Sequence, residues 1–169
     1  IPVDGLRYLD EFFSGKRYVV KYGNITDEFR PYEVKVYLFG RTFRKISIRE
    51  RKGDAVRGEW YAEVAEHEDE MRIGLMFRDL PSDDRALLLQ AQKGVDIGIH
   101  TFNMKVPIDI VFLDNDFRVT TLYRNLPPCK EENRCMVYHS HKPSSSVIEF
   151  RAGVIEKSGL REGDRVEFY

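Results

Sequence analysis

Apolar and polar residues alternate with a period of two along much of this chain, the pattern of strands that bury one face. From Arg17 onward the period holds. Val34, Val36 and Leu38 alternate with Glu33, Lys35 and Tyr37, and after a turn at Gly40, Ile46 and Ile48 alternate with Lys45, Ser47 and Arg49. Trp60, Ala62 and Val64 continue it after Gly58, and further strands are expected over 86–90, 98–103, 108–113, 118–124, 147–150 and 165–168. Asp114-Asn115-Asp116-Phe117 joins two of these as a hairpin, because Asp and Asn suit tight turns. The period breaks in three places. Leu6, Leu9, Phe12 and Phe13 share a helical face, which predicts a short helix over 6–13, stopped at Gly15. Residues 66–77 read as a second helical segment, with acids at its start where the helix dipole favours them. Residues 154–158 read as a third, ended by Gly159 in the left-handed position with Leu160 as its apolar contact. Residues 125–146 hold three prolines and both cysteines and are expected to be irregular. The whole predicts a mainly β fold with minor α content: a small antiparallel barrel or sandwich with two or three short helices.

With 169 residues the chain can bury a real core, and it is read as a single domain over 1–169. Within it, 1–60 is expected to be a β-rich extension packed on a core formed by 61–169, since two or three strands alone are marginal. Basic and acidic side chains number 27 and 28, which argues against a dedicated nucleic-acid surface. The basic run Arg41, Arg44, Lys45, Arg49, Arg51 and Lys52 is followed by an acidic one, Glu63, Glu66, Glu68, Asp69 and Glu70, so mutual neutralisation is expected. No apolar stretch is long enough for a membrane-spanning helix. Arg outnumbers Lys, and Asn, Gln, Cys and Met are sparse, a composition in keeping with heat adaptation. The sequence starts at Ile1 rather than Met, which leans the expectation toward processing and a location outside the cytoplasm.

A set of short pieces then recurs in a recognisable order. They are Gly74-Leu75-Met76-Phe77-Arg78 with Leu80-Pro81, Phe102, Met104-Lys105, Pro107-Ile108-Asp109-Ile110, Pro127-Pro128-Cys129, Cys135 with Tyr138, Val147-Ile148-Glu149, Ala152-Gly153, and Gly159-Leu160 with Gly163-Asp164-Arg165-Val166. From about Ala62 to the end, the chain resembles the family called domain of unknown function 192. The resemblance implies a compact β-barrel-like fold and brings no established activity. Two departures stand out: Asn103 occupies the position of the family's Trp, and only Val106 separates Lys105 from Pro107.

Candidate chemistry centres on 100–113. Even positions are almost unbroken apolar, while Thr101, Asn103, Lys105, Pro107 and Asp109 occupy the odd ones. One continuous strand would bury the first set and present the second to solvent, with Pro107 marking an edge or bulge. Thr101, Asn103, Lys105 and Asp109, with Arg78, are therefore the expected ligand-binding residues. The alternative is an ordinary solvated strand face.

Cys129 and Cys135 bracket a short loop with His139 and His141 beyond it. A disulfide or facing thiol pair is expected ahead of a zinc site, because the spacing matches no usual zinc pattern, or of unrelated cysteines. Asp114-Asn115-Asp116 lacks the later residues of a calcium loop, and His67-Glu68 lacks the second His of a zinc-protease motif. Asn24-Ile25-Thr26 is a glycosylation sequon, of consequence only on export. No metal or cofactor is expected. The functional expectation is a non-enzymatic binding or accessory module for a small polar ligand or a protein partner. The alternatives are a hydrolytic enzyme using a carboxylate, and a structural domain of a larger assembly.

Overall fold

The computed structural model describes residues 8–11, 17–19, 28, 30–31, 37–39, 42–53, 55–66, 68–78, 82–91 and 97–169. Ile46 and Ile48 alternate with charged neighbours in β4 (Thr42–Arg49), and its partner β5 (Val56–Ala65) places Trp60, Ala62 and Val64 on the same buried side. A crossover carrying the short helix α1 (Glu68–Ile73) leads to β6 (Arg85–Gln90), which pairs parallel to β5. A two-residue strand β7 (Ile99–His100) precedes the hairpin of β8 (Ile108–Leu113) and β9 (Val119–Leu126). After a 3-10 turn at Glu132–Arg134, β10 (Val137–Tyr138) pairs with β7. Then come β11 (Ser146–Arg151), α2 (Val154–Ser158) and β12 (Arg165–Phe168).

Seven of these strands form one curled half-barrel sheet in the order β12-β4-β5-β6-β11-β8-β9. The fold is mainly β with minor α, and every neighbouring pair is antiparallel except β5–β6. The two outer strands meet at one end. Arg118 bridges Arg165, the Val119 N–H donates to the Asp164 carbonyl at 2.8 Å, and the Gly163 N–H donates to the Val119 carbonyl at 2.7 Å.

Apolar clusters cover both faces of the sheet. One joins Ile46, Ile48, Trp60, Leu88, Val111, Ile148 and Phe150 to Val154, Ile155 and Leu160 around α2. The other joins Leu75, Leu87, Leu89, Ile99, Met104, Ile110, Phe112 and Val147. A strand with a core on both sides reads as a continuous apolar run rather than an alternating one, which describes β8: all six of its residues are buried.

Several local expectations hold. α2 spans the five residues read from the sequence, and Gly159 adopts φ 68° after it, a conformation glycine enters without steric cost. Two do not. Residues Tyr8–Glu11 form a strand, β1, rather than part of a helix. It pairs with β2 (Arg17–Val19) on one side and β3 (Tyr37–Phe39) on the other, and pairing on both edges outweighs the weak helical preference of four residues. The expected strand over 98–103 shrinks to Ile99–His100 because the chain turns at 101–107. Leu6, Phe12, Phe13, Val34, Val36 and Gly40 lie outside the described residues.

Candidate functional site

The turn at 101–107 rearranges the expected polar row. Asn103 sits at φ 53°, and the Met104 N–H reaches back to the Thr101 carbonyl at 3.4 Å. The even set behaves largely as expected, with Met104, Ile108, Ile110 and Phe112 buried. The odd set does not form a solvent face. Lys105 and Pro107 are exposed and Asn103 is half-buried, but Thr101 is buried and Asp109 is 1% exposed. Parity cannot assign faces across a turn, and in β8 both faces are interior.

Asp109 has a different task. Its Oδ1 accepts from the Asn125 N–H at 2.8 Å, and its Oδ2 accepts from the Gly153 and Ile155 N–H groups at 3.0 and 2.8 Å. The carboxylate thus ties β8 to the end of β9 and to the first turn of α2, whose early N–H groups have no intrahelical partners. Asp109 and Phe150 are cross-strand partners, which places Asp109 on the α2 side of the sheet, away from the other candidates.

Arg78 stands at the centre of the remaining polar groups. It follows the turn after α1 and forks onto Glu63 of β5, Nη1 to Oε1 at 3.0 Å and Nη2 to Oε2 at 2.5 Å. Arg78 Nη1 also donates to the Gly74 carbonyl at 3.4 Å. Cross-strand partners lie on one face of a sheet, and the register runs Glu63 to Leu87 of β6, to Glu149 of β11, to Ile110 of β8. Glu63 and Glu149 therefore share a face, two strands apart.

Glu149 is 2% exposed, and among the described residues its Oε2 has no hydrogen-bond partner. Burial pushes its carboxyl up to about 8, against the opposing pull of the Arg78 guanidinium. Gly74 lies over it: a Cβ added there would stand 3.9 Å from Oε2. At the other end the row reaches solvent, since the Arg78 and Glu63 side chains are 14% and 13% exposed.

Backbone contacts connect this row to the turn at 101–104. Phe77, at φ 60°, donates its N–H to the Asn103 carbonyl at 2.8 Å. The Asn103 N–H donates to the Cys129 carbonyl, and the Cys129 N–H to the Thr101 carbonyl, both at 2.9 Å. Non-glycine residues with positive φ are strained and gather at functional sites; here two of them face each other beside Arg78. Cys129 and Cys135 form a disulfide with Cα atoms 5.6 Å apart, so the expected pair is present and neither sulfur is left to hold zinc. Among the described residues no group of three His, Cys, Asp or Glu side chains is placed to hold a metal ion. No helix among them is long and apolar enough to cross a membrane.

The structure thus joins Arg78, Asn103 and the Thr101 backbone, leaves Lys105 on the exposed turn, and separates Asp109. Sequence reasoning missed Glu63 and Glu149 as site residues. The signal was present, for each is a lone acid in an apolar run: Ala62-Glu63-Val64-Ala65 and Val147-Ile148-Glu149-Phe150.

Both segments fall within residues 49–168, which match a protein-family model. A UPF0127 protein, PF1050 of Pyrococcus furiosus, is 28% identical over 96 residues, covering 57% of this chain and 76% of that protein. A candidate transcription regulator from Sinorhizobium meliloti superposes with a TM-score of 0.68 at 22% identity, over 76% of this chain and 95% of its own. A protein of unknown function from Novosphingobium aromaticivorans superposes with a TM-score of 0.63 at 24% identity, over 73% and 83%. At such identities the two structures show a shared fold. The DUF192 family model (Uncharacterized ACR) matches residues 49–168, starting within β4 rather than near residue 61 or 62, and the chain belongs to that family.

Proposed function

We propose that this chain is a binding module that takes a small polar ligand at the Glu63–Arg78–Glu149 row, and that the group it grips is a basic N–H donor. The observation that carries this is the Glu149 Oε2, sealed from water and without a hydrogen-bond partner among the described residues. Buried polar atoms are almost always paired, so an unpaired one is an opening for a ligand. Charge selects the ligand. Arg78 directs its fork at Glu63, so an ionised Glu149 would carry a negative charge whose Oε2 has no hydrogen-bond partner among the described residues. An anion would be repelled there, whereas an ammonium or guanidinium group completes the balance. Gly74 is buried over Oε2 and adds no side chain there.

Binding of a cation ionises Glu149 and releases its proton. The test is calorimetric titration with guanidinium and methylammonium between pH 6 and 9. Affinity should rise with pH and level off above about 8, with proton release seen as a dependence on buffer ionisation heat, and Glu149→Gln should abolish both. Affinity independent of pH, or unchanged in the variant, would sink the reading.

A second reading draws on the same carboxyl. A buried acid that holds its proton near neutral pH is suited to general acid catalysis, so a hydrolytic role for Glu149 with Arg78 is the alternative. Turnover of an ester or amide substrate, lost in Glu149→Gln, would replace the binding module with an enzyme.

A further inference from the structure

We propose that the Cys129–Cys135 disulfide is a redox latch on this site: closed, it holds the 101–104 turn against Phe77 and Arg78, and reduced, it lets that turn loosen. The latch concerns regulation of the site assigned above and takes its functional meaning from that reading.

An unbroken path of short contacts carries the inference. The disulfide joins Cys129 to Cys135, two residues before β10, which is paired with β7. Cys129 is clamped to the turn by two backbone hydrogen bonds, to Thr101 and from Asn103, and Phe102 bridges it as in a parallel strand pair. Asn103 in turn accepts from the Phe77 N–H, next to the Arg78 that faces Glu63. Apart from the disulfide, little among the described contacts secures the loop itself. Its 3-10 turn buries no residue, and the Arg134–Glu131 ion pair is on the surface, where such pairs contribute little. Residues 130–134 are exposed and both cysteines are only half-buried, so a reductant can reach them.

The loop is also prepared for the reduced state. The Glu131 carbonyl lies 3.5 Å from Cys129 Sγ and 3.2 Å from Cys135 Sγ. Neither sulfur carries a proton in the disulfide, so these are contacts only, but the thiols formed on opening have an acceptor in place. A dithiol performs the opening in two exchanges. Its first thiolate attacks one sulfur and displaces the other cysteine as a thiolate. Its second thiolate then attacks the mixed disulfide, releasing the remaining cysteine and closing the oxidised reductant into a ring. Two electrons and two protons pass to the protein.

The test is amide hydrogen exchange on the full chain, read residue by residue, in the oxidised form, after dithiothreitol with reduction verified by a two-dalton mass gain, and in Cys129→Ser/Cys135→Ser. The amides of Phe77, Asn103 and Cys129 should exchange on the order of tenfold faster in the last two forms, while those of β8 and β11 keep their protection, as expected of a local opening. Unchanged exchange at the three amides would overturn the latch. Loss of protection throughout β8 and β11 would overturn it too, since the disulfide would then stabilise the whole fold. Guanidinium titration of the same samples separates the two claims. If the oxidised protein does not bind the probe, the ligand reading fails while the exchange result still decides the latch. If it binds and the exchange pattern ignores reduction, the latch fails alone.

Discussion

Asp109 and Glu149 lie on neighbouring strands, 1% and 2% exposed, yet they occupy opposite chemical situations. Asp109 accepts three backbone N–H groups and joins β8, β9 and α2. Glu149, one register position away and on the other face of the sheet, has an oxygen with no partner among the described residues, and a carboxyl shifted up by burial. The difference separates two reasons for burying an acid. A carboxylate surrounded by donors is part of the scaffold, and one lacking them is held in readiness. Burial by itself therefore marks no site; an acid with unmet hydrogen-bonding capacity is the one that calls for an explanation.

The largest test of this contrast is Asp109→Ala. Three N–H groups lose their acceptor, that of Ile155 in a buried setting and those of Asn125 and Gly153 in partly buried ones, and an unmade buried bond costs about 1–3 kcal/mol. A loss of about 3–6 kcal/mol in urea unfolding is expected; a loss below about 1 kcal/mol would place Asp109 outside the scaffold. Glu149→Gln should act in the other direction, and increasingly as pH rises above 4.5. The folded carboxyl titrates at about 8 against an ordinary value of 4.5, so its stabilising contribution is complete below 4.5 and is lost as pH rises through 8. The native protein should lose stability on the order of a few kcal/mol between pH 5 and 9 relative to the Gln variant. Parallel pH profiles for the two proteins would erase the distinction between the acids. The smallest effect belongs to Lys105→Ala, expected within about 0.5 kcal/mol of the native protein because its side chain is exposed. A cost above about 2 kcal/mol would show that the 101–107 turn depends on that ammonium.

Local signals carried the parts of the fold they govern. The Asp114–Phe117 turn was legible because Asp114 Oδ1 caps it, accepting from the Asp116 and Arg118 N–H groups. The α2–Gly159–Leu160 unit was legible because its stop signal is a backbone conformation that glycine favours. Long-range facts were not. Nothing in the order of residues states that β5 and β6 run parallel. The apolar run 110–113 does signal a strand covered on both sides, and that coverage undid the parity argument at Asp109. The fold class survived this because it depends on how many strands there are; the site did not, because it depends on which strands are neighbours. Arg78 and Asn103 were candidates from the sequence, while Glu63 and Glu149 become a row only after β5, β6 and β11 are placed side by side.

The seam between β9 and β12 bears on how copies of this protein behave in a crowded solution. Open sheet edges are templates on which other chains can add strands. At one end of the half-barrel the two edges occupy each other, through Arg118 with Arg165 and through the Val119, Asp164 and Gly163 backbone groups. Asp164 secures that junction from within: its carboxylate accepts the Arg51 and Arg161 N–H groups and pairs with Arg57. The pairing of these two edges is thus braced by a buried acid. Damage at Asp164 would bare two adhesive edges at once, and self-association would then accompany the loss of folding.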